Sequence, residues 1–230
     1  MSGAQLPLGL VFPRDQRLDG YRDPPPGLLA ALADLAEGTR DGVVLTGGPG
    51  AGRSHLLLAA CAHASERARS VAYLPLRAFA AGASAALAGQ GGVHLVCVDD
   101  VQAIAGNREA EIALFDLHNR VRAGGGALLY AADAPPAQLP LTLPDLRSRL
   151  AQCAQFRLSV PDEAQRRRIL GERARVRGLD LDAAVLDYLF RHTARDLASL
   201  TALLDRLDRA SLAAQRRITV PFLKGVLEAG

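Results

Sequence analysis

Apolar residues along this chain fall into two kinds of segment that alternate. Short continuous runs at Val43-Val44-Leu45-Thr46, Ser70-Val71-Ala72-Tyr73-Leu74, Val93 to Val98, Ala127 to Ala132 and Gln155 to Leu158 read as five strands. A strand buried on both faces needs no polar alternation, and these runs show little. Between them, apolar residues three and four apart predict helices. These cover Leu28, Leu29, Leu32 and Leu35 within 27–38, the stretch from His55 to Cys61, and the alanine-rich residues 77–88. A further helix over 107–123 carries Ile112, Leu114, Phe115, Leu117 and Val121 and stops at Gly124-Gly125-Gly126. A short one with a narrow leucine stripe spans 143–150. Strands alternating with helices predict a parallel sheet with helices on both faces.

After Ser159-Val160-Pro161-Asp162 the pattern becomes all-helical. A capping-box start with proline in the first turn opens helices at roughly 161–177, 182–192, 195–214 and 220–228. The expected organisation is an α/β domain over 28–159 and a small helical domain over 160–230. Ahead of them lie an irregular Pro- and Gly-bearing linker, residues 13–27, and an apolar tail, residues 1–12. Leu6, Leu8 and Leu10 alternate in the tail, but Pro7 and Gly9 oppose a stable strand there. Either the tail packs on its own domain or its leucines enter another protein's groove, and composition favours packing.

Composition narrows the field. The 230 residues are 49% hydrophobic with no Trp and 4% aromatics, so Leu, Val and Ala must fill a sizeable core. A net charge of +3 is compatible with nucleic acid nearby without marking a dedicated nucleic-acid binder. Cys61, Cys97 and Cys153 are distant, odd in number and set among apolar residues, as expected of reduced cytoplasmic thiols. No signal peptide or run of ~18 apolar residues is present, so a soluble cytoplasmic protein without membrane contact is expected.

The chemistry concentrates at Gly47-Gly48-Pro49-Gly50-Ala51-Gly52-Arg53-Ser54, between a strand and the helix opened by His55. Strand, glycine loop and helix form the context of a phosphate-binding loop, in which backbone N–H groups and the helix dipole face an anion. Ser54 stands where such loops place a hydroxyl on Mg²⁺, and Arg53 replaces the usual Lys. A guanidinium can grip phosphate but is bulkier and planar, so binding should survive better than hydrolysis. Asp99 and Asp100 end a buried strand 45 residues after Ser54, as in the second nucleotide motif, with Asp99 holding Mg²⁺ through water. Asp133 ends the next strand on the same side of the sheet.

These residues resemble AAA+ proteins, and within them the Hda family of DnaA-related regulatory inactivators of replication initiation. The resemblance spans nearly the whole chain. It rests on Gly50-Ala51-Gly52-Arg53-Ser54-His55-Leu56-Leu57, Leu95-Val96-Cys97-Val98-Asp99, Phe115-Asp116-Leu117-His118-Asn119-Arg120, Leu143-Pro144-Asp145-Leu146-Arg147-Ser148-Arg149-Leu150, Leu207-Asp208-Arg209-Ala210-Ser211 and Thr219-Val220-Pro221-Phe222-Leu223-Lys224. It implies an AAA+ P-loop NTPase fold with a helical lid that binds ADP (or ATP) with Mg. It also implies tethering to the DNA-loaded sliding clamp and stimulation of ATP hydrolysis by DnaA, which represses re-initiation. DNA would be met indirectly, and a homo-oligomer is allowed.

By the same resemblance, Arg149 matches an arginine finger acting in trans, with nearby Arg147 as an alternative. Asp133 matches the sensor 1 position, where capping of the following turn is an equal reading, and Arg195 the sensor 2 arginine. Gln5, Leu6, Leu8 and Leu10 match the clamp-binding peptide, which reverses the preference for self-packing, although Pro7 and Gly9 depart from the pattern. Leu18-Asp19-Gly20-Tyr21 replaces the family's aromatic-containing stretch at the adenine pocket's entrance. Asp100 stands where a self-hydrolysing AAA+ protein keeps a catalytic Glu, so the chain's own ATPase activity should be weak or absent. The alternative is a self-hydrolysing AAA+ ATPase that loads or remodels replication proteins.

The remaining arginines read more plainly. Arg120 faces a subunit interface or a solvated helix surface, the latter favoured. Arg166-Arg167-Arg168 with Arg173, Arg175 and Arg177 either touch DNA or form the wet face of a lid helix partnered by Glu163 and Glu172, the latter favoured.

Overall fold

The computed structural model describes residues 16–79, 82–90, 92–192, 197–214 and 218–228. Five strands, β1 (Gly42–Thr46), β2 (Val71–Pro75), β3 (Leu95–Asp99), β4 (Ala127–Ala132) and β5 (Ala154–Arg157), form one parallel sheet in the order β2-β3-β4-β1-β5. In register, Val43 pairs with Leu129 on one side and Ala154 on the other, so β1 is held along both edges. Every residue of β3 and β4 is buried, whereas β2 alternates as an edge strand does. The five expected strands and the helices on both faces are all present.

One face carries α1 (Leu28–Glu37) and α2 (Arg53–Ser65), whose Leu28, Leu32, Leu56 and Leu57 pack with Val43, Leu45, Cys97 and Leu129. The other carries α3 (Leu76–Phe79), α4 (Ala83–Ala88), α5 (Arg108–Ala123) and α6 (Pro144–Gln152). There Leu87, Leu114, Leu117 and Leu146 meet Val44, Val98 and Tyr130. The alanine-rich segment expected as one helix contains two short ones, with Gly82 as N-cap of α4, since glycine opposes a helix interior. Asn107 caps α5 by accepting from the Ala110 N–H.

The helical domain comprises α7 (Glu163–Val176), α8 (Ala183–His192), α9 (Leu197–Ala214) and α10 (Val220–Glu228). They enclose a separate core of Leu170, Val185, Leu189, Leu204, Leu207 and Leu223. Asp162 is the N-cap of α7, and its capping-box partner is Gln165. Pro161 therefore sits before the cap rather than in the first turn.

Three readings are refined here. Residues 16–27 lack helix and strand, as expected of the linker, but they lie against both domains. Tyr21 donates to the Ala51 carbonyl at 2.9 Å, Arg22 pairs with Glu172 at 2.7 Å, and Asp23 accepts from Gln165 at 2.8 Å. Arg120 is exposed on the surface of α5, as favoured, and also has a structural partner there. Its guanidinium caps the C-terminal carbonyls of α4, donating to Leu87 O at 3.2 Å and Gln90 O at 3.4 Å. Of the α7 arginines, Arg168 and Arg175 are exposed, as expected of a wet face, whereas others are held by specific partners. Arg167 pairs with Glu163 and Asp187, Arg177 with Asp205, and Arg173 turns inward toward α2. Glu172 is taken by the linker.

Leu45 is fully buried in β1 between its two partner strands. Leu45→Ala should cost about 2–5 kcal/mol in urea-induced unfolding, since a sheet fixed on both edges cannot collapse into the cavity.

Candidate nucleotide site and a second arginine site

The glycine loop leaves the C-terminal end of β1 and opens α2, with Gly52 as N-cap. Two of its glycines hold conformations that side chains resist, Gly50 at φ +79° and Gly52 at φ +88°. Gly47 is required for space, because a Cβ there would lie 2.8 Å from the Leu158 carbonyl. Against Gly52 lies the ring of Tyr21, 2.7 Å from where a Cβ would stand. Burial pushes the Tyr21 hydroxyl up to about 12, so it stays protonated and donates to Ala51 O.

Ser54 is exposed at the first turn of α2, whereas Asp99 is buried. The Tyr73 hydroxyl donates to Asp99 at 2.9 Å. Burial, followed by the Asp99 charge, raises the Tyr73 pKa well above the ordinary phenol value. Asp100, at φ +54°, is tied by its carboxylate to three groups. It lies 3.8 Å from Arg53 Nη2, and it accepts from Arg77 at 3.2 Å and from Gln102 at 2.7 Å. Gln102 accepts from the Asp133 N–H in turn, which brings Asp133 to the same end of the sheet, its side chain exposed.

Arg53 Nη1 is buried and has no hydrogen-bond partner among the described residues. A buried guanidinium donor beside a loop of turned-in N–H groups fits a phosphate oxygen, and Ser54 with Asp99 fits a phosphate-bound Mg²⁺. A small pocket of about 60 Å³ opens next to the loop, lined by Tyr21, Gly50, His55, Pro161, Ile169 and Arg173, among others. Its mix of ring, apolar and backbone groups suits a nucleobase and ribose.

His55 joins the two domains at this pocket: it contacts the Arg17 carbonyl at 3.2 Å and Arg173 at 3.0 Å. Tyr73 and Gln102 are site residues that sequence reasoning did not single out, and Arg173 was placed on the lid surface instead. Tyr21 was legible in the Leu18–Tyr21 stretch. Arg195 and Gln5, Leu6, Leu8 and Leu10 lie outside the described residues.

Arg149 lies in the last turn of α6, at the far side of the sheet from the glycine loop. It borders an open cavity of about 690 Å³ with Asp41 and Gly42, where β1 begins. The glycine loop leaves β1 five residues later, about 16 Å along the strand. Arg122 in this cavity pairs with Asp41, and Arg40 lies 3.7 Å from Asp34. Arg149 is exposed, and its guanidinium donates a long 3.5 Å hydrogen bond to Gln152. Arg147 is two residues earlier, about 200° around the helix, and does not line the cavity.

Beneath Arg149, buried His118 shares a 2.9 Å hydrogen bond with Tyr130. Burial and then the Arg149 charge hold the His118 pKa below its ordinary value. Removing a nearby positive charge favours the imidazolium. Arg149→Ala should therefore raise the His118 pKa in an NMR titration, and no movement would place the guanidinium elsewhere. On the opposite side, Gly52→Ala should cost about 1–2 kcal/mol of loop strain. It should weaken ADP binding on the order of tenfold in calorimetric titration.

Comparison with known proteins agrees with this geometry. The family model described as the bacterial DnaA ATPase domain matches residues 28–156, and the one described as Hda, lid domain, matches 162–227. Domain III of the Thermotoga maritima replication initiation protein DnaA superposes with TM-score 0.72 at 20% identity, covering 94% of this chain and 96% of that one. DnaA from Aquifex aeolicus, bound to AMPPCP, gives TM-score 0.64 at 22% identity over 86% of this chain and 66% of that one. The Thermotoga maritima RuvB Holliday junction branch migration motor gives 0.60 at 16% identity over 95% and 73%. At these identities the structures speak to fold alone, while the sequence-family match covers more than half of the chain. The chain belongs to the bacterial DnaA ATPase-domain family, a replication-related AAA+ protein with a lid of the Hda type.

Proposed function

We propose that this protein holds ADP at its own glycine loop and lends Arg149 to ATP bound by DnaA. It would act while tethered to the DNA-loaded sliding clamp, and so repress re-initiation of replication. The observation that carries the reading is the separation of two sites along one strand. The phosphate loop lies at one end of β1 and an exposed arginine in an electropositive cavity at the other. An arginine about 16 Å from its own loop can serve only a nucleotide held by another chain.

The chain's own residues suit binding better than turnover. Arg53 Nη1 and the loop N–H groups would hold phosphate, Ser54 and Asp99 would hold Mg²⁺, and Tyr21, packed against Gly52, would wall the base. Bound nucleotide and Mg²⁺ would supply an anionic centre around which linker, loop and lid close. Asp100, in the place of the usual catalytic Glu, is shorter and already engaged by Arg53, Arg77 and Gln102. It is poorly available to orient a water, which argues against the self-hydrolysing alternative. Tail residues Gln5, Leu6, Leu8 and Leu10 would bind the clamp. No helix among the described residues is long and apolar enough to cross a membrane, which is compatible with a cytoplasmic role.

The test is ATP hydrolysis by the cognate DnaA with DNA-loaded clamp, with and without this protein. Wild type should stimulate, and Arg149→Ala should lose on the order of 10³-fold or more of the stimulated rate. Arg147→Ala should lose little. Wild-type stimulation that survives Arg149→Ala removes the finger assignment, and an inert wild type removes the whole reading.

A further inference from the structure

Glu111 lies in the first turn of α5 and is completely buried. Its carboxylate accepts four hydrogen bonds from two distant segments. Oε1 accepts from the Gly106 N–H at 2.8 Å and the Thr142 N–H at 3.1 Å. Oε2 accepts from the Thr142 hydroxyl at 2.9 Å and the Leu143 N–H at 2.7 Å. Burial opposes the charge, but these donors outweigh it and hold the carboxyl below its ordinary value.

The location gives these bonds their meaning. Thr142 and Leu143 immediately precede α6, whose N-cap Leu143 has no side-chain cap and whose first residue, Pro144, has no N–H. Glu111 thus supplies from outside the anchor that the helix start lacks. Gly106 follows the short 3₁₀ turn Val101–Ile104, whose Gln102 contacts Asp100 and the Asp133 backbone. At the other end α6 runs directly into β5, already zipped to β1. With both ends fixed, α6 can neither slide nor turn, and a one-residue slip would swing Arg149 about 100° around the axis.

We propose that Glu111 is the positioning residue for Arg149: it fixes the start of α6 so that the guanidinium is presented at the cavity. The proposal rests on the role given to Arg149 above. Fully enclosed, Glu111 touches neither nucleotide nor partner and acts through the backbone it holds. In Glu111→Gln the amide nitrogen faces at least one obligate backbone N–H donor, whichever oxygen it replaces: Gly106 and Thr142 at one, Leu143 at the other.

The test titrates each variant into the stimulated DnaA hydrolysis assay with DNA-loaded clamp and reads plateau rate and half-saturating concentration separately. Glu111→Gln should lower the plateau on the order of 10²-fold, as a displaced catalytic group does. Half-saturation should stay within about twofold, and ADP binding should be unchanged. Combined with Arg149→Ala it should cause no further loss, because both changes remove one function. Thr142→Val, which deletes one of the four bonds, should lower the plateau in the same direction but less.

A merely structural role gives a different result: fewer folded molecules, reduced ADP-binding stoichiometry and a plateau restored at higher protein concentration. That outcome overturns the proposal, as do losses that add to those of Arg149→Ala. If Glu111→Gln does not fold, Thr142→Val decides, and an unchanged plateau overturns the proposal. Wild-type stimulation with Glu111→Gln equal to wild type removes this inference alone. An inert wild type removes the reading beneath it as well.

Discussion

Everything in this molecule depends on β1 being hydrogen-bonded along both edges, to β4 and to β5. A central parallel strand has two chemically different ends. Its C-terminal end releases the chain into the glycine loop, where helix dipole and N–H groups favour anions. Its N-terminal end lies beside the terminus of α6, because α6 must lead β5 back to the start of a parallel neighbour. One strand thereby sets the distance between the glycine loop and the place where the chain presents Arg149. A sheet that shifted in register would lose both relationships together.

The same topology gives Asp100 and Arg53 their character. Both end up at the C-terminal edge of the sheet, one on the loop and the other after β3, and each partly answers the other's charge at 3.8 Å. A partly buried guanidinium is costly unless paired. Asp100 meets part of that need, while Nη1 stays without a partner among the described residues. The substitution of Arg for Lys and of Asp for the catalytic Glu are therefore coupled in space, although 47 residues separate them.

What could be read from sequence was whatever is local. The five apolar runs, the glycine loop between strand and helix, and the paired aspartates after Val98 each carry their meaning within about ten residues. Tyr73, Gln102, Glu111 and Arg173 do not. Tyr73 matters because β2 pairs with β3 and brings its hydroxyl to Asp99, and Glu111 because α5 packs beside a segment 31 residues later. Arg173 belongs to a run of arginines in which the helical face is not legible, so its inward turn toward His55, 118 positions away, was invisible. Arg149 and Arg147 were equivalent as letters. Helix geometry separates them.

The linker has a consequence for how the two domains move. Arg22 with Glu172 and Asp23 with Arg168 fasten the strap to the lid, while Tyr21 fastens it to the loop. The lid-side fasteners are partly exposed ion pairs, each worth under about 1 kcal/mol and screened over about 8 Å at physiological salt. The loop-side fastener is a part-buried phenol bond that salt scarcely affects. The strap is thus a hinge with one firm leaf and one soft leaf, and ionic strength becomes a control on how readily the lid swings while the glycine loop keeps its shape.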